Sequence, residues 1–170
     1  MTDVLEAAVT NRARCRGCGL AIQKGTLRFG ERVPNPYGEG EDETTYWFHV
    51  PCAARRRPER FAALDAAALA PLPDGPALQA LAQRGATHHR LARIAGVERA
   101  RSGRAKCRHC KEAIAAGTRR IVLTIWQQAR FVPMGFVHSA CAAAYFGTAA
   151  IEPWLDAVTA PDPPRPALPP

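Results

Sequence analysis

The chain has 170 residues, a formal net charge of +8 and a pI near 9.7, and 47% of its residues are hydrophobic although only 7% are aromatic. So few aromatic side chains argue against one large core, and two units of roughly 50 to 60 residues would each need a staple such as a metal ion. The sequence contains no apolar run long enough to span a membrane, and the positive charge favours a polyanionic partner, most commonly nucleic acid.

The first structural signal is a pair of cysteines, Cys15 and Cys18, separated by two residues. This spacing predicts a tight turn that opens a short hairpin. Residues 26–29 have the aliphatic and aromatic content of a strand. Residues 31–43 are acidic and broken by proline and glycine, so we expect a loop there.

A second predicted strand, residues 44–48, leads into His49 and Cys52. Alanines after Cys52 predict the start of a helix. A helical linker is then expected over residues 61–98, interrupted near Gly85. The helix is indicated by the spacing of four apolar residues, Leu78, Leu81, Leu91 and Ile94.

The same order of signals returns in the second half of the chain. Cys107 and Cys110 form a second pair, residues 119–126 have strand composition, and residues 128–136 are expected to be a short apolar loop before the second histidine. Alanines after Cys141 again predict a helix. The proline-rich residues 156–170 are expected to form a disordered tail.

The two halves align as an internal repeat. The pattern Arg-Ala-basic-Cys-Arg-x-Cys occurs at residues 12–18 and again, 92 positions later, at residues 104–110. Arg28 and Arg120 share that offset, whereas the two His-x-x-Cys blocks lie 89 positions apart. The domains expected from this repeat are a zinc finger at 1–60, the linker at 61–98, a second finger at 99–155 and the tail.

Each copy offers three thiolates and one imidazole, the donor set of a closed tetrahedral structural zinc site. The expected ligands of the two zinc ions are Cys15, Cys18, His49 and Cys52 in the first copy, and Cys107, Cys110, His138 and Cys141 in the second. Disulfides are disfavoured because we expect an intracellular protein, in the cytoplasm or nucleoid of a bacterium or the nucleus of a eukaryote. A thioredoxin-type site, ligands shared between the copies, and competition from His109 are weaker alternatives.

With these residues in view, the chain resembles the PARP-type zinc fingers of poly(ADP-ribose) polymerases and of a nick-sealing DNA ligase. The resemblance covers roughly residues 9–56 and 99–146 and includes the Trp47-Phe48-His49 ending of the first copy. It implies a small zinc-stabilised α+β fold, two tandem fingers with short antiparallel strands and a helix each, and a non-enzymatic protein.

The resemblance also implies recognition of DNA breaks by shape. The arginines that hold phosphates in this family fall on Arg12, Arg28, Arg104 and Arg120, and Lys106 is a further basic candidate. Apolar loop residues of the family cap an exposed base pair, and the candidates in the second copy are Phe131 and Met134. Phosphate contacts would give salt-sensitive affinity, and base stacking would add roughly 1 to 3 kcal/mol per base.

Charge separates the two copies. Residues 99–130 contain nine Lys or Arg and one acid, whereas residues 31–43 contain five acids and one base. Because an acidic loop repels a phosphate backbone, the second copy is expected to be the stronger DNA binder.

The leading interpretation is a DNA-binding protein that recognises ends, nicks or gaps in DNA damage sensing or repair, with RNA binding as a lesser variant. The alternative is a zinc-stabilised protein-interaction adaptor that docks partners through the acidic loop 39–43 or the proline-rich tail. The sequence does not indicate an oligomeric state.

Overall fold

A computed structural model describes residues 2–35 and 42–159 of the chain. The fold of this part is α+β, with two three-stranded sheets. It divides into two compact units. The first contains the described residues up to Arg93 together with Thr124–Met134, and the second contains Ile94–Leu123 and the described residues from Gly135 onward.

The sheet of the first unit has the order β1–β2–β3, with β1 at Val4–Ala7, β2 at Leu27–Pro34 and β3 at Glu43–His49. Both pairings are antiparallel. The strand β1 was not expected from the sequence. The start expected for the loop 31–43 is wrong, because β2 continues to Pro34. Within this strand Glu31 is only 3% exposed and accepts hydrogen bonds from Arg57. Residues 36–41, which include most of the acidic loop expected at 39–43, lie outside the described range.

Four helices follow in the first unit: α1 at Val50–Arg56, α2 at Pro58–Ala62, α3 at Ala66–Leu69 and α4 at Gly75–Thr87. A 3₁₀ turn at His89–Arg93 comes after α4. Prolines stand in the first turns of α1, α2 and α4, where a missing N–H costs no helical hydrogen bond.

A separate helical linker over 61–98 is not confirmed. Phe61, Leu69 and Ala82 are buried in one core with Phe29 and Phe48 of the sheet. The interruption expected near Gly85 is wrong, because α4 runs through this buried glycine. At its far end the expected linker passes into a strand, β4 at Ile94–Arg99.

The sheet of the second unit has the order β4–β5–β6, with β5 at Arg119–Gln127 and β6 at Arg130–His138. The loop expected at 128–136 is wrong. Gln128 and Ala129 adopt left-handed φ angles of 48° and 63°, so two residues suffice for the turn and the next strand begins at once.

The ends of these two strands furthest from the histidine, Thr124–Met134, belong to the first unit. There Trp126 packs against Phe48 and Phe131, with ring centroids 5.7 and 4.8 Å apart.

The second unit is completed by a 3₁₀ turn at Ser139–Cys141, α5 at Ala142–Phe146 and α6 at Glu152–Thr159. Its buried residues include Ile114, Ile121, Val137, Phe146 and Trp154. The part of the expected tail that is described, residues 156–159, is helical, and residues 160–170 lie outside the described range. Among the described helices, none has the length and apolar character needed to cross a membrane.

Candidate metal centres and nucleic-acid interface

The structure brings together the four expected ligands of the first copy. The Sγ atoms of Cys15, Cys18 and Cys52 and a ring nitrogen of His49 all lie within 4.8 Å of one another. Strand β3 ends on the histidine and α1 begins at the next residue, so the last cysteine of the set sits in the first turn of that helix. Cys15 and Cys18 approach from the turn before β2.

The second copy repeats this arrangement. Cys107, Cys110, His138 and Cys141 form a cluster within the same 4.8 Å limit. Every member of each cluster comes from one copy, as expected for two independent centres and not for shared ligands. His109 is not a member, and its backbone N–H instead donates to Cys107 Sγ at 3.4 Å.

Backbone groups orient the donors in both copies. The N–H of His49 donates to Cys15 Sγ at 3.2 Å, and that of His138 donates to Cys107 Sγ at 3.4 Å. The Nδ1 atom of each ring faces a cysteine sulfur, at 3.3 Å in the first copy and 3.4 Å in the second. Each Nε2 lies 3.3 Å from a carbonyl oxygen, that of Ala21 or Ala113.

This chemistry fits zinc. Thiolates held about 2.3 Å from a tetrahedral zinc ion lie about 3.8 Å apart, which is within the 4.8 Å limit that all ligand atoms of these clusters meet. An Nε2–H that donates to a backbone carbonyl leaves Nδ1 as the lone-pair donor, which is the outer-shell support that metal-bound histidines usually have. Each cluster could therefore bind one zinc ion, with all four positions filled by protein and none left for a reacting water.

Proton competition is strong in the first cluster when no metal is bound. Contacts with Cys18 and Cys52 lower the pKa of Cys15 far below its ordinary value, and the reciprocal contacts raise the pKa of Cys52 far above it. Hydrogen bonds with Cys15 and Cys18 raise the pKa of His49 to about 10. A metal ion that binds here must displace the protons on His49 and Cys52.

The second cluster shows the same pattern more weakly. Burial raises the pKa of Cys107, but the backbone N–H groups of His138, Cys110 and His109 outweigh burial and bring this pKa down to about 6. Burial and contacts with Cys110 and Cys107 raise the pKa of Cys141 to about 11.

The basic residues near the cysteine pairs are exposed. Arg12 and Arg104, each three positions before the first cysteine of its copy, both face solvent, and so does Lys106. Other exposed bases of the second copy are Arg101, Arg108, Lys111 and Arg119. The second copy thus presents basic groups on both sides of Cys107, with Glu112 as the exposed acid among them.

The other two arginines expected at phosphates have a different environment. Arg28 is 6% exposed and Arg120 is 7% exposed. Arg28 donates to Glu6 at 2.6 Å and stacks on Trp47, with its guanidinium carbon 3.5 Å from the ring centroid. Each guanidinium is therefore largely enclosed by protein groups.

Arg120 has equivalent partners. Its guanidinium donates to Glu98 at 2.6 Å and stacks on Phe136 at 3.5 Å. Sequence reasoning missed the two glutamates, although Glu6 and Glu98 are separated by the same 92 positions as the two arginines. Extending the repeat alignment upstream of the cysteines would have found them.

Phe131 and Met134, the expected base-capping pair, are both half-buried. The ring of Phe131 packs against Trp126, and the guanidinium carbon of Arg56 lies 3.8 Å from its centroid. Arg56 also donates to Thr124 Oγ1 at 2.6 Å. Phe131 is thus packed against the core of the first unit, and its role as a base-capping residue stays a prediction.

The first copy matches a known family. The model described as "Poly(ADP-ribose) polymerase and DNA-Ligase Zn-finger region" matches residues 6–76. The match includes Glu6, Arg28 and the whole first cluster, and it continues beyond residue 60 through α2 and α3. The segment 6–76, with its Cys₃His cluster beside a three-stranded sheet, is consistent with a PARP-type zinc finger.

Proposed function

We propose that the protein is a zinc-dependent DNA-binding protein that recognises strand breaks, with both copies folded around a structural zinc ion. The observation that carries the proposal is the match of residues 6–76 to the zinc-finger region of poly(ADP-ribose) polymerases and DNA ligases. The internal repeat extends it to the second copy, since the ligands and basic residues recur there.

Phosphate contacts supply the affinity in this proposal. Arg12, Arg104 and Lys106 are exposed beside the cysteine pairs, where the zinc ion holds the backbone in place. Arg28 and Arg120 lie on strands next to the ligand histidine strand and offer pre-oriented guanidinium groups. Base capping by Phe131 and Met134 stays a prediction, and it would require the ring of Phe131 to leave its contacts with Arg56 and Trp126.

The second copy is proposed as the stronger binder. Its exposed bases outnumber its one exposed acid around the cysteine pair. The contrast with the first copy is smaller than the sequence suggests, because Glu31 is buried against Arg57 and adds no charge to the surface. Exposed acids of the first copy include Asp42 and Glu43.

The test compares intact, nicked, gapped and blunt-ended duplexes by fluorescence anisotropy over a range of salt concentrations. Nicked or gapped duplex should bind more tightly than intact duplex, with a steep salt dependence. Arg104→Glu should weaken binding by roughly tenfold or more and lower the salt slope by about 1. Arg84→Glu, the same charge change at an exposed position of α4, is the control.

Zinc content is measured on every variant. Loss of binding in Arg104→Glu with two zinc ions retained would support the proposal. Equal affinity of all duplexes, or no affinity for any of them, would refute break recognition and favour a protein-interaction role.

A further inference from the structure

A buried arginine is paired with a half-exposed glutamate in each unit. The side chains of Arg28 and Arg120 are 7% and 9% exposed, whereas those of their partners Glu6 and Glu98 are 45% and 40% exposed. Both pairs have a nitrogen-to-oxygen distance of 2.6 Å. The member of each pair that meets solvent is therefore the carboxylate and not the guanidinium.

The sheet fixes where each guanidinium lies. Glu6 and Arg28 are direct cross-strand partners, and so are Glu98 and Arg120. Trp47 in the first unit covers one face of the guanidinium, as Phe136 does in the second. One face of each guanidinium is thus covered by a ring, and one terminal nitrogen of each donates to the carboxylate, whereas the Nε of Arg28 is buried without a hydrogen-bond partner.

In the second unit, Glu98 occupies one edge of the Arg120 guanidinium. Its Nε and one terminal nitrogen both donate to the same oxygen of Glu98, at 3.0 and 2.6 Å. A phosphate oxygen binds an arginine edge through the same charge-assisted geometry as a carboxylate oxygen. The glutamate thus occupies the position at which a DNA phosphate would bind.

We propose that Glu6 and Glu98 are intramolecular stand-ins for a DNA backbone phosphate, displaced when the duplex docks. The inference rests on the proposed function and adds a step to it. The exchange keeps the buried guanidinium neutralised in both states, because one anion replaces another. The released carboxylate moves from half-exposed to fully hydrated, which costs little.

This exchange makes the glutamate a competitor of DNA. Its removal should strengthen binding, whereas removal of a residue that merely orients the arginine should weaken it. The effect should also depend on the arginine, since the competition takes place at that guanidinium. A general loss of negative charge, in contrast, would act through space whether or not the arginine is present.

The experiment measures the affinity of the full-length zinc-loaded chain for nicked duplex at one salt concentration. Glu98→Gln keeps the shape and an oxygen acceptor and removes the charge, and it should tighten binding by roughly threefold to tenfold. The control is Glu112→Gln, which removes an exposed acid from the cysteine turn of the same unit. Its effect should be smaller than that of Glu98→Gln.

A double-mutant cycle with Arg120→Lys completes the test, because lysine keeps the charge and lacks the two-pronged edge. In this background Glu98→Gln should give no more than the control change. Glu6→Gln and Arg28→Lys repeat the cycle in the first unit, so that poor folding of one variant leaves the other cycle to decide.

Two results would overturn the inference. The first is weaker DNA binding by Glu98→Gln at unchanged zinc content. The second is a gain in affinity from Glu98→Gln that is no larger than that from Glu112→Gln and is the same in the Arg120→Lys background. Failure of the proposed function looks different, because the unmodified protein would then bind no duplex in an Arg104-dependent manner.

Discussion

Gly30 is the position at which a single methyl group should reveal how the Arg28 site is built. A Cβ placed on this glycine would lie 2.6 Å from Cζ3 of Trp47, 2.8 Å from Cγ2 of Thr45 and 3.0 Å from Cγ2 of Val4. Gly30 pairs directly with Trp47 across β2 and β3. The indole ring therefore lies over a strand position that has room for hydrogen only.

The expected cost of Gly30→Ala follows from this crowding. Overpacking of a well-packed site costs about 1 to 3 kcal/mol. Alanine recovers about 0.5 kcal/mol, because a glycine in a strand loses more backbone entropy on folding. The net loss in the free energy of unfolding is then about 0.5 to 2.5 kcal/mol, or about 2 to 15 °C in the Tm of a unit of this size.

Thermal unfolding of the zinc-loaded protein, followed by tryptophan fluorescence, measures this loss. Gly103→Ala is the matched control, because the nearest atom to its added Cβ is 4.0 Å away, and its Tm should stay within about 2 °C of the parent. The displaced indole should also loosen its stacking on Arg28. An unchanged Tm in Gly30→Ala would show that Trp47 does not lie on Gly30 and would refute the described packing of this face.

Three further predictions test other parts of the structure. Cys107→Ser should leave about one zinc per chain by metal analysis. Strong chelation should abolish the folded circular dichroism signal of both units, and structure retained without zinc would contradict the expectation that each unit needs its metal ion to fold. Zinc binding should release protons from Cys52 and from His49, whose metal-free pKa is raised to about 10. The apparent zinc affinity should therefore fall as pH falls. Calorimetry in buffers of different ionisation enthalpy measures the proton release, and finding none would contradict this prediction. Phe131→Ala should lower the unfolding free energy of the first unit by about 2 kcal/mol at unchanged zinc content, roughly half the cost at a fully buried site. A stability equal to that of the parent would instead favour the role of Phe131 as an open platform.

The metal chemistry of this protein was readable from the sequence. Cysteine and histidine spacing is short-range, so a two-residue gap in Cys15-x-x-Cys18 already dictates a turn that points both sulfurs at one ion. The repeat supplied the rest, because all four ligand types recur in the second half of the chain, the cysteine pair 92 positions later and the His-x-x-Cys block 89 positions later, which argues against a chance arrangement of ligands.

The environment of the charged residues depended on the tertiary structure. The sequence does not distinguish the exposed Arg12 from the enclosed Arg28, since both are arginines near a cysteine pair. What separates them is which strand each side chain faces: Arg28 is opposite Glu6 across β1 and β2, and β1 carries no strong sequence signal. Strand pairing between distant segments is set by packing and not by local pattern.

The assignment of segments to units was likewise a tertiary matter. Composition marked residues 61–98 as a helical linker and 128–136 as a loop, yet Phe61 packs in the first core and Phe131 joins it from far along the chain. Local propensity gives the helices and turns, whereas the choice of which apolar face covers which core is made by burial between residues that are distant in sequence.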